Sequence, residues 1–143
     1  MSLTVDWLPL DSKDIAAILD IAEKGDYAST KAEGCSSTFD FMTVYSHHLA
    51  RYIRGGVGSD DYLHPLSGMH IIVDAGNGNG GFFEKVLRSL GADTTGSQFL
   101  NPDGHFPNHI PNPENAEAMA SVCEAVKKSN ADLGVIFDTD VDR

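Results

Sequence analysis

The chain has 143 residues, 41% of them hydrophobic, which is the size and composition of a single soluble globular domain. Its 10 Lys and Arg residues oppose 21 Asp and Glu residues, giving a net charge of −11 with no basic cluster. This excess of negative charge argues against nucleic acid and anionic membranes as binding partners. The apolar runs are far shorter than the roughly 20 residues that a membrane-spanning helix needs, and no secretory signal is visible.

The two cysteines, Cys35 and Cys123, lie far apart and lack the spacing of a disulfide framework or a zinc knuckle. We therefore expect ordinary thiols and an intracellular protein. The expected compartment is the cytoplasm, or an organelle such as a plastid.

Residues 1–39 are predicted to form a helix followed by a polar linker. Asp11 or Ser12 can cap a helix over Asp14–Lys24, where apolar residues recur at helical spacing. The small and polar residues 26–38 indicate a loop.

A second helix is predicted after Asp40, and the pair Gly55-Gly56 is expected to end it. Its apolar residues keep to one face, which predicts that this face is buried. They are Phe41, Val44, Tyr45, Leu49, Tyr52 and Ile53.

Beyond Gly68 the pattern changes to alternating strands and helices. An apolar strand at Met69–Val73 leads into a glycine-rich turn and a helix that begins near Phe82. Residues 93–99 predict a weaker strand. Four prolines make residues 100–113 a stiff, irregular loop.

Asn112 and Pro113 are a favourable cap and first-turn pair for a fourth helix. Its inward residues are expected to be Ala116, Met119, Ala120, Cys123 and Val126. A last strand follows at Leu133–Phe137. This order predicts an α/β fold in three layers, with helices flanking a central, mainly parallel sheet and an N-terminal helical segment before it.

Three carboxylates at alternate positions, Asp138, Asp140 and Asp142, directly follow the last strand. Two unit charges about 4 Å apart repel by about 1 kcal/mol in water and about 4 kcal/mol near a protein surface, so such a loop usually holds a cation. Carboxylate oxygens are hard ligands that suit Mg²⁺ or Mn²⁺. Arg143 adds a planar donor that can bind phosphate through two hydrogen bonds. Together these residues indicate a metal-assisted phosphate site.

Three other interpretations of this acidic loop are open. An EF-hand loop needs Gly at its sixth position, where this chain has Arg143. A phosphatase of the haloacid dehalogenase type would use Asp138 as nucleophile and Asp140 as acid, although its fifth position is typically Thr or Val. The loop could also be a solvated acidic surface without a metal.

The glycine-rich turn matches the dinucleotide fingerprint at Gly76, Gly78 and Gly81. However, Asp74 places a charge where the fingerprint strand should be apolar, and Asp93 lies at the start of the next strand, whereas a ribose-binding acid belongs at its end. Glycines required by a tight turn and close backbone packing are the favoured explanation.

The histidines give no metal-binding pattern. His105 and His109 are four residues apart, but Pro107 forbids the helix that would make them a ligand pair. They are expected in a loop at a domain interface, and His47 and His48 on the second helix.

Several motifs, taken in chain order, resemble the second domain of the α-D-phosphohexomutases, the phosphoglucomutase/phosphomannomutase superfamily. The resemblance covers about residues 40–143. The motifs are Asp74-Ala75-Gly76-Asn77-Gly78 through Gly81, Asn101-Pro102-Asp103-Gly104, Phe106-Pro107-Asn108, Pro111-Asn112-Pro113-Glu114, and Ala131-Asp132-Leu133-Gly134 leading into the acidic loop.

The resemblance implies a part of a larger enzyme in which four domains surround one active site. Asp138, Asp140 and Asp142 would bind Mg²⁺, and Arg143 would face a phosphorylated serine of another domain and the transferred phosphoryl group. The expected substrates are hexose phosphates and bisphosphates, with phosphate moved between C1 and C6. The expected partners are the other domains of the parent enzyme.

Two departures from the family pattern are visible. Thr139 stands where Gly is commonest, which keeps the three ligands but stiffens the loop. Nothing resembles the family's serine loop, so the chain alone is expected to be inactive. A non-catalytic binding domain that kept the fold is the alternative from another functional class.

Overall fold

The computed structural model describes residues 4–5, 8–29 and 34–143. The chain divides into two compact units, Met1–Phe39 and Asp40–Arg143, which are described separately here. Part of the predicted linker, residues 30–33, lies outside the described residues.

In the first unit, strands β1 (Thr4–Val5) and β2 (Leu8–Pro9) pair antiparallel and are followed by helix α1 (Ser12–Lys24). Asp11 is the cap, because its side chain accepts hydrogen bonds from the first-turn backbone. Gly25 ends the helix in the left-handed conformation with φ +64°. The apolar stripe of α1 is exposed.

The second unit begins with helix α2 (Phe41–Val57), which Asp40 caps by accepting from the Thr43 N–H. The prediction that Gly55-Gly56 ends this helix is wrong. Neither glycine has positive φ, and the helix continues until Gly58 takes the left-handed conformation at φ +64°.

The buried face of α2 is narrower than predicted. Ala50 is buried, and Leu49 and Ile53 pack against the same core. The other predicted members of this face are exposed, because the core contacts the stripe through Leu49, Ala50 and Ile53 and they lie outside it. They are Phe41, Val44, Tyr45 and Tyr52.

Strand β3 (Ile71–Asp74) is fully buried and begins two residues later than predicted. It is followed by a short 3₁₀ turn (Asn79–Gly81) and by helix α3 (Phe82–Ser89). Helix α3 turns Val86 and Leu87 towards the core.

The predicted strand over residues 93–99 is replaced by two isolated parallel bridges, from Asp93 to His70, which directly precedes β3, and from Gln98 to Asp74 at the end of β3. Between them the chain turns at Gly96, whose φ is +92°. The Ser97 hydroxyl accepts the Val73 N–H at 2.9 Å and so takes the role of a strand carbonyl. Residues 100–113 form no helix or strand, as the prolines predicted.

Helix α4 (Ala116–Ser129) begins later than predicted and turns another face inward. Asn112 and Pro113 lie in a preceding turn, and Asn115 caps the helix by accepting from two backbone N–H groups. The buried residues are Ala118 and Val122. Four residues predicted to be inward are exposed, namely Ala116, Met119, Ala120 and Cys123, and only Val126 of the predicted face is partly buried.

Strand β4 (Leu133–Ile136) pairs with β3 in parallel, with Ile71 opposite Leu133 and Asp74 opposite Ile136. Helices α2 and α3 share a core with Ile71, Val73 and Val135 on one face of the sheet. Helix α4 covers the other face, where Gly134 admits the side chains of Val122 and Val126. The predicted α/β architecture, with helices on both sides of a parallel sheet, is confirmed.

Candidate metal centre

The acidic loop, residues 138–143, leaves the carboxyl end of β4 and gathers the three predicted carboxylates. One oxygen each of Asp138, Asp140 and Asp142 lies within 4.8 Å of the others. Asp138 is 3% exposed, whereas Asp140 and Asp142 face solvent. This pattern gives the cluster one fixed carboxylate and two that can adjust.

Asp138 is held by the loop that it begins. Its Oδ1 accepts from the backbone N–H groups of Asp142 and Arg143 at 3.1 and 3.3 Å. Burial alone would raise the pKa of Asp138, but hydrogen bonds from Asp142 and Arg143 outweigh burial and hold the pKa below its usual value. Asp138 is therefore an anion with a defined position.

The loop reaches this geometry through a strained residue. Val141 has φ +69°, a conformation that is unfavourable for a β-branched side chain. It directly precedes the two residues whose N–H groups bind Asp138. Such strain persists only where contacts with the surrounding structure fix the backbone conformation, and it is concentrated at functional sites.

The pKa of Asp142 is raised, first because its carboxyl group shares a hydrogen bond with Asp138, and then because Asp140 and Asp138 repel its charge. A proton is thus retained in the cluster more strongly than on an isolated Asp. A divalent cation relieves the same repulsion, because it binds between carboxylates.

Arg143 was predicted to face a phosphate, and its guanidinium is turned towards the acidic loop. Its Nε donates to Asp138 Oδ2 at 3.0 Å, and its Nη1 lies 3.8 Å from Glu114. The side chain is 54% exposed. The remaining guanidinium donors are thus available to an anion that approaches from solvent.

The donor set fits a cation such as Mg²⁺. An ionised carboxylate offers about four lone-pair positions, and Asp138 uses three of them for hydrogen bonds within the loop. The position that Asp138 shares with the carboxyl group of Asp142 would take a metal once the shared proton leaves. Asp140 and Asp142 would supply the other protein ligands, and Mg²⁺ commonly keeps waters or phosphate oxygens in the remaining positions.

The glycine-rich turn, residues 74–81, packs against the acidic loop. A Cβ at Gly78 would lie 3.0 Å from the Thr139 carbonyl oxygen, and one at Gly80 would lie 2.5 Å from the Phe137 ring. At Gly81 it would lie 1.9 Å from the Leu100 carbonyl oxygen. Close packing therefore accounts for these glycines, as the favoured explanation of the motif predicted.

An open cavity of about 650 Å³ lies beside the acidic loop. Asp140 and Val141 form part of its wall, and both polar and apolar residues of other elements complete it. The polar ones include Asn79, Glu84, Lys85 and Asn101. A small polar ligand in this cavity would contact the loop directly.

One buried pair near the site was not predicted as a functional feature. His109 Nε2 lies 3.0 Å from Asp74 Oδ1, and both side chains are almost completely buried. The sequence signal was Asp74 itself, because a charge at the end of an apolar strand needs a buried partner. The partner could not be identified, because His105 and His109 are equivalent candidates by sequence. His105 is exposed.

Residues 43–143 match the family model described as phosphoglucomutase/phosphomannomutase, alpha/beta/alpha domain II. The chain belongs to this family. The family prediction is confirmed. Among the described residues, no helix is both long and apolar enough to cross a membrane.

Curated relatives include a phosphoglucomutase of Neisseria gonorrhoeae, 32% identical over 94% of this chain, and a phosphomannomutase of Salmonella montevideo, 34% identical over 86%. The chain spans 27% of the length of each. A crystal structure of a phosphoglucomutase/phosphomannomutase family protein from Burkholderia thailandensis matches 92% of the chain and 26% of its own length, with a TM-score of 0.58 and 24% identity. This likeness shows the shared fold.

Proposed function

We propose that this chain is the cation-binding domain of an Mg²⁺-dependent phosphohexomutase, which moves phosphate between C1 and C6 of a hexose phosphate. The observation that carries the proposal is the convergence of Asp138, Asp140 and Asp142 within 4.8 Å. Family membership supports it, because the curated relatives are phosphoglucomutases and phosphomannomutases.

The cation would neutralise charge on phosphoryl oxygens during the transfer. Asp138 has a fixed position, so it would set where the cation sits. Asp140 and Asp142 are exposed and would complete the binding from the solvent side.

Arg143 would bind the phosphoryl group of the substrate beside the cation. Its Nε would keep the hydrogen bond to Asp138, which fixes the plane of the guanidinium. Its other N–H groups would donate to an incoming anion. The other domains of the parent enzyme would supply the nucleophilic serine and the groups that select the sugar.

Titration calorimetry with Mn²⁺ tests the assignment. We expect weak binding, with a Kd of about 0.1–1 mM, because the protein offers only three of the six ligands of an octahedral ion. The double variant Asp138→Asn, Asp140→Asn should lose this binding.

The matched control is Asp20→Asn, Glu23→Gln on α1, which removes the same two charges from an exposed helix surface. It should bind Mn²⁺ like the unmodified chain. Equal binding by the acidic-loop variant would contradict the assignment, and it would favour a non-catalytic domain that kept only the fold.

A further inference from the structure

Asp74 and His109 form a buried pair below the glycine-rich turn. His109 Nε2 lies 3.0 and 3.1 Å from the two carboxylate oxygens of Asp74, and the two side chains are 4% and 0% exposed. Asp74 also accepts from the Gly76 N–H at 2.9 Å and from Gln98 Nε2 at 2.8 Å. The carboxylate is thus fully hydrogen-bonded, which is the condition for tolerating a buried charge.

Both nitrogens of the His109 ring have hydrogen-bond partners. Nδ1 lies 3.0 Å from the carbonyl oxygen of Ile110, a group that only accepts hydrogen bonds, so Nδ1 is the donor there. Nε2 faces the carboxyl group of Asp74 and shares a proton with it. This assignment follows from the partners of the ring.

The pair joins two irregular segments. Asp74 ends β3 where the glycine-rich turn begins, and His109 belongs to the proline-rich loop of residues 100–113. Asn77 joins the same segments a second time, because its Oδ1 accepts from Asn108 Nδ2 at 2.7 Å. At Gly76, whose φ is +52°, a Cβ would lie only 3.0 Å from the His109 ring.

Backbone hydrogen bonds join the glycine-rich turn to the start of the acidic loop. The backbone carbonyl of Asp74 accepts from the Phe137 N–H at 3.2 Å, and the Asn79 N–H donates to the Thr139 carbonyl at 3.0 Å. These two hydrogen bonds lie on either side of Asp138. The position of the first carboxylate therefore depends on the conformation of the glycine-rich turn.

We propose that Asp74 and His109 are positioning residues, which lock the glycine-rich turn so that its backbone holds Asp138 in place for cation binding. The proposed effect on the backbone of the turn follows from the hydrogen bonds described above and does not depend on the proposed function. The effect on cation affinity rests on the proposed function. Neither residue touches the cation or the substrate.

The test replaces His109 in two ways. His109→Phe keeps an aromatic ring against Phe99, whose centroid lies 5.4 Å from that of His109, but removes the hydrogen bond to Asp74. His109→Gln keeps an N–H donor without the imidazole ring, and it serves as the conservative variant if His109→Phe does not fold.

The first measurement is hydrogen exchange of the Asn79 amide by NMR, without added metal. Because the hydrogen bond between His109 and Asp74 is lost, this amide should exchange at least about tenfold faster in His109→Phe, and His109→Gln should recover part of the protection. The second measurement is Mn²⁺ affinity, which should fall by about tenfold in His109→Phe, as for other groups that orient metal ligands.

Thr94→Val is the matched control, because it removes another buried side-chain hydrogen bond, from Thr94 to Glu84, which involves neither the glycine-rich turn nor the acidic loop. It should lower stability without changing exchange at Asn79 or Mn²⁺ affinity. Unchanged exchange at Asn79 in both His109 variants, or an equal loss of protection in Thr94→Val, would overturn the positioning role. Loss of protection at Asn79 in a protein that binds no Mn²⁺ would support the positioning role and contradict the proposed function.

Discussion

Arg143 and Asp138 are joined inside the acidic loop by a hydrogen bond of 3.0 Å between Nε and Oδ2. This hydrogen bond raises the pKa of Arg143 above its usual value, and the charges of Asp138, Glu114 and Asp142 act in the same direction. The guanidinium therefore offsets part of the negative charge that a cation would otherwise neutralise. Arg143 thus opposes cation binding by the domain even though it would assist phosphate binding.

Replacing Arg143 by Gln should strengthen Mn²⁺ binding to this chain. Two charges about 4 Å apart interact by about 1 kcal/mol in water. Removing the repelling charge should therefore tighten the Kd by about fivefold. Titration calorimetry measures the change, and the exposed Arg51→Gln of α2 is the control for net charge. Weaker binding in Arg143→Gln would show that the arginine supports the cation site.

Replacing Gly81 by Ala should lower the free energy of unfolding by at least about 3 kcal/mol, the upper end for overpacking. The added methyl carbon would lie 1.9 Å from the Leu100 carbonyl oxygen, and a backbone group cannot rotate away from the clash as a side chain could. Urea denaturation followed by circular dichroism measures the loss.

Gly55→Ala is the matched control for this prediction. Gly55 lies inside α2 with no atom within 4 Å of an added Cβ, so alanine there should raise stability by about 0.5–1 kcal/mol. A mild effect of Gly81→Ala would mean that the turn and the proline-rich loop are not in close contact.

The acidic loop and the order of the four helices, β3 and β4 could be predicted from the sequence because their signals are local. An apolar run followed by three alternate carboxylates indicates a strand that ends in a ligand loop. Asp40 was predicted as a cap, and Asp11 as one of two candidates, for the same reason, since each accepts from backbone groups within three residues.

Features that depend on distant partners were not predicted correctly. The inward face of α4 passes through Ala118 and Val122, because Gly134 on β4 leaves room for that face. The interruption near residue 96 depends on the Ser97 hydroxyl reaching Val73 on β3. These pairs are far apart in the sequence, so no pattern within a single segment reveals them.

Mn²⁺ binding should weaken as the pH falls through the raised pKa of Asp142, and binding in that range should release protons. The folded loop raises the pKa of Asp142, through its hydrogen bond with Asp138 and the repulsion from nearby carboxylates. A proton therefore competes with the cation below that raised pKa, and the competition disappears above it. Calorimetry at mildly acidic pH in two buffers of different ionisation enthalpy measures the release. Cation binding without proton release under these conditions would contradict this assignment of the shared proton.

The isolated chain should show no mutase turnover, because phosphoryl transfer needs a nucleophile that the resemblance assigns to another domain. Incubation with glucose 1-phosphate, glucose 1,6-bisphosphate and Mg²⁺ should yield no glucose 6-phosphate above the background without protein. Release of inorganic phosphate that disappears in Asp138→Asn would instead favour the dehalogenase-type phosphatase.

The most direct test of cation binding by the acidic loop is to locate the ion by NMR. Substoichiometric Mn²⁺ broadens amide signals near it, so the signals of Thr139 and Val141 should disappear first. The amides of Asp60 and Asp61, an exposed acidic pair just beyond the C-terminal end of α2, should stay sharp, because the start of that helix is the end that lies near the acidic loop. Broadening centred on α1 or on Asp60 and Asp61, with Thr139 and Val141 unaffected, would contradict the assignment of Asp138, Asp140 and Asp142 as the metal ligands.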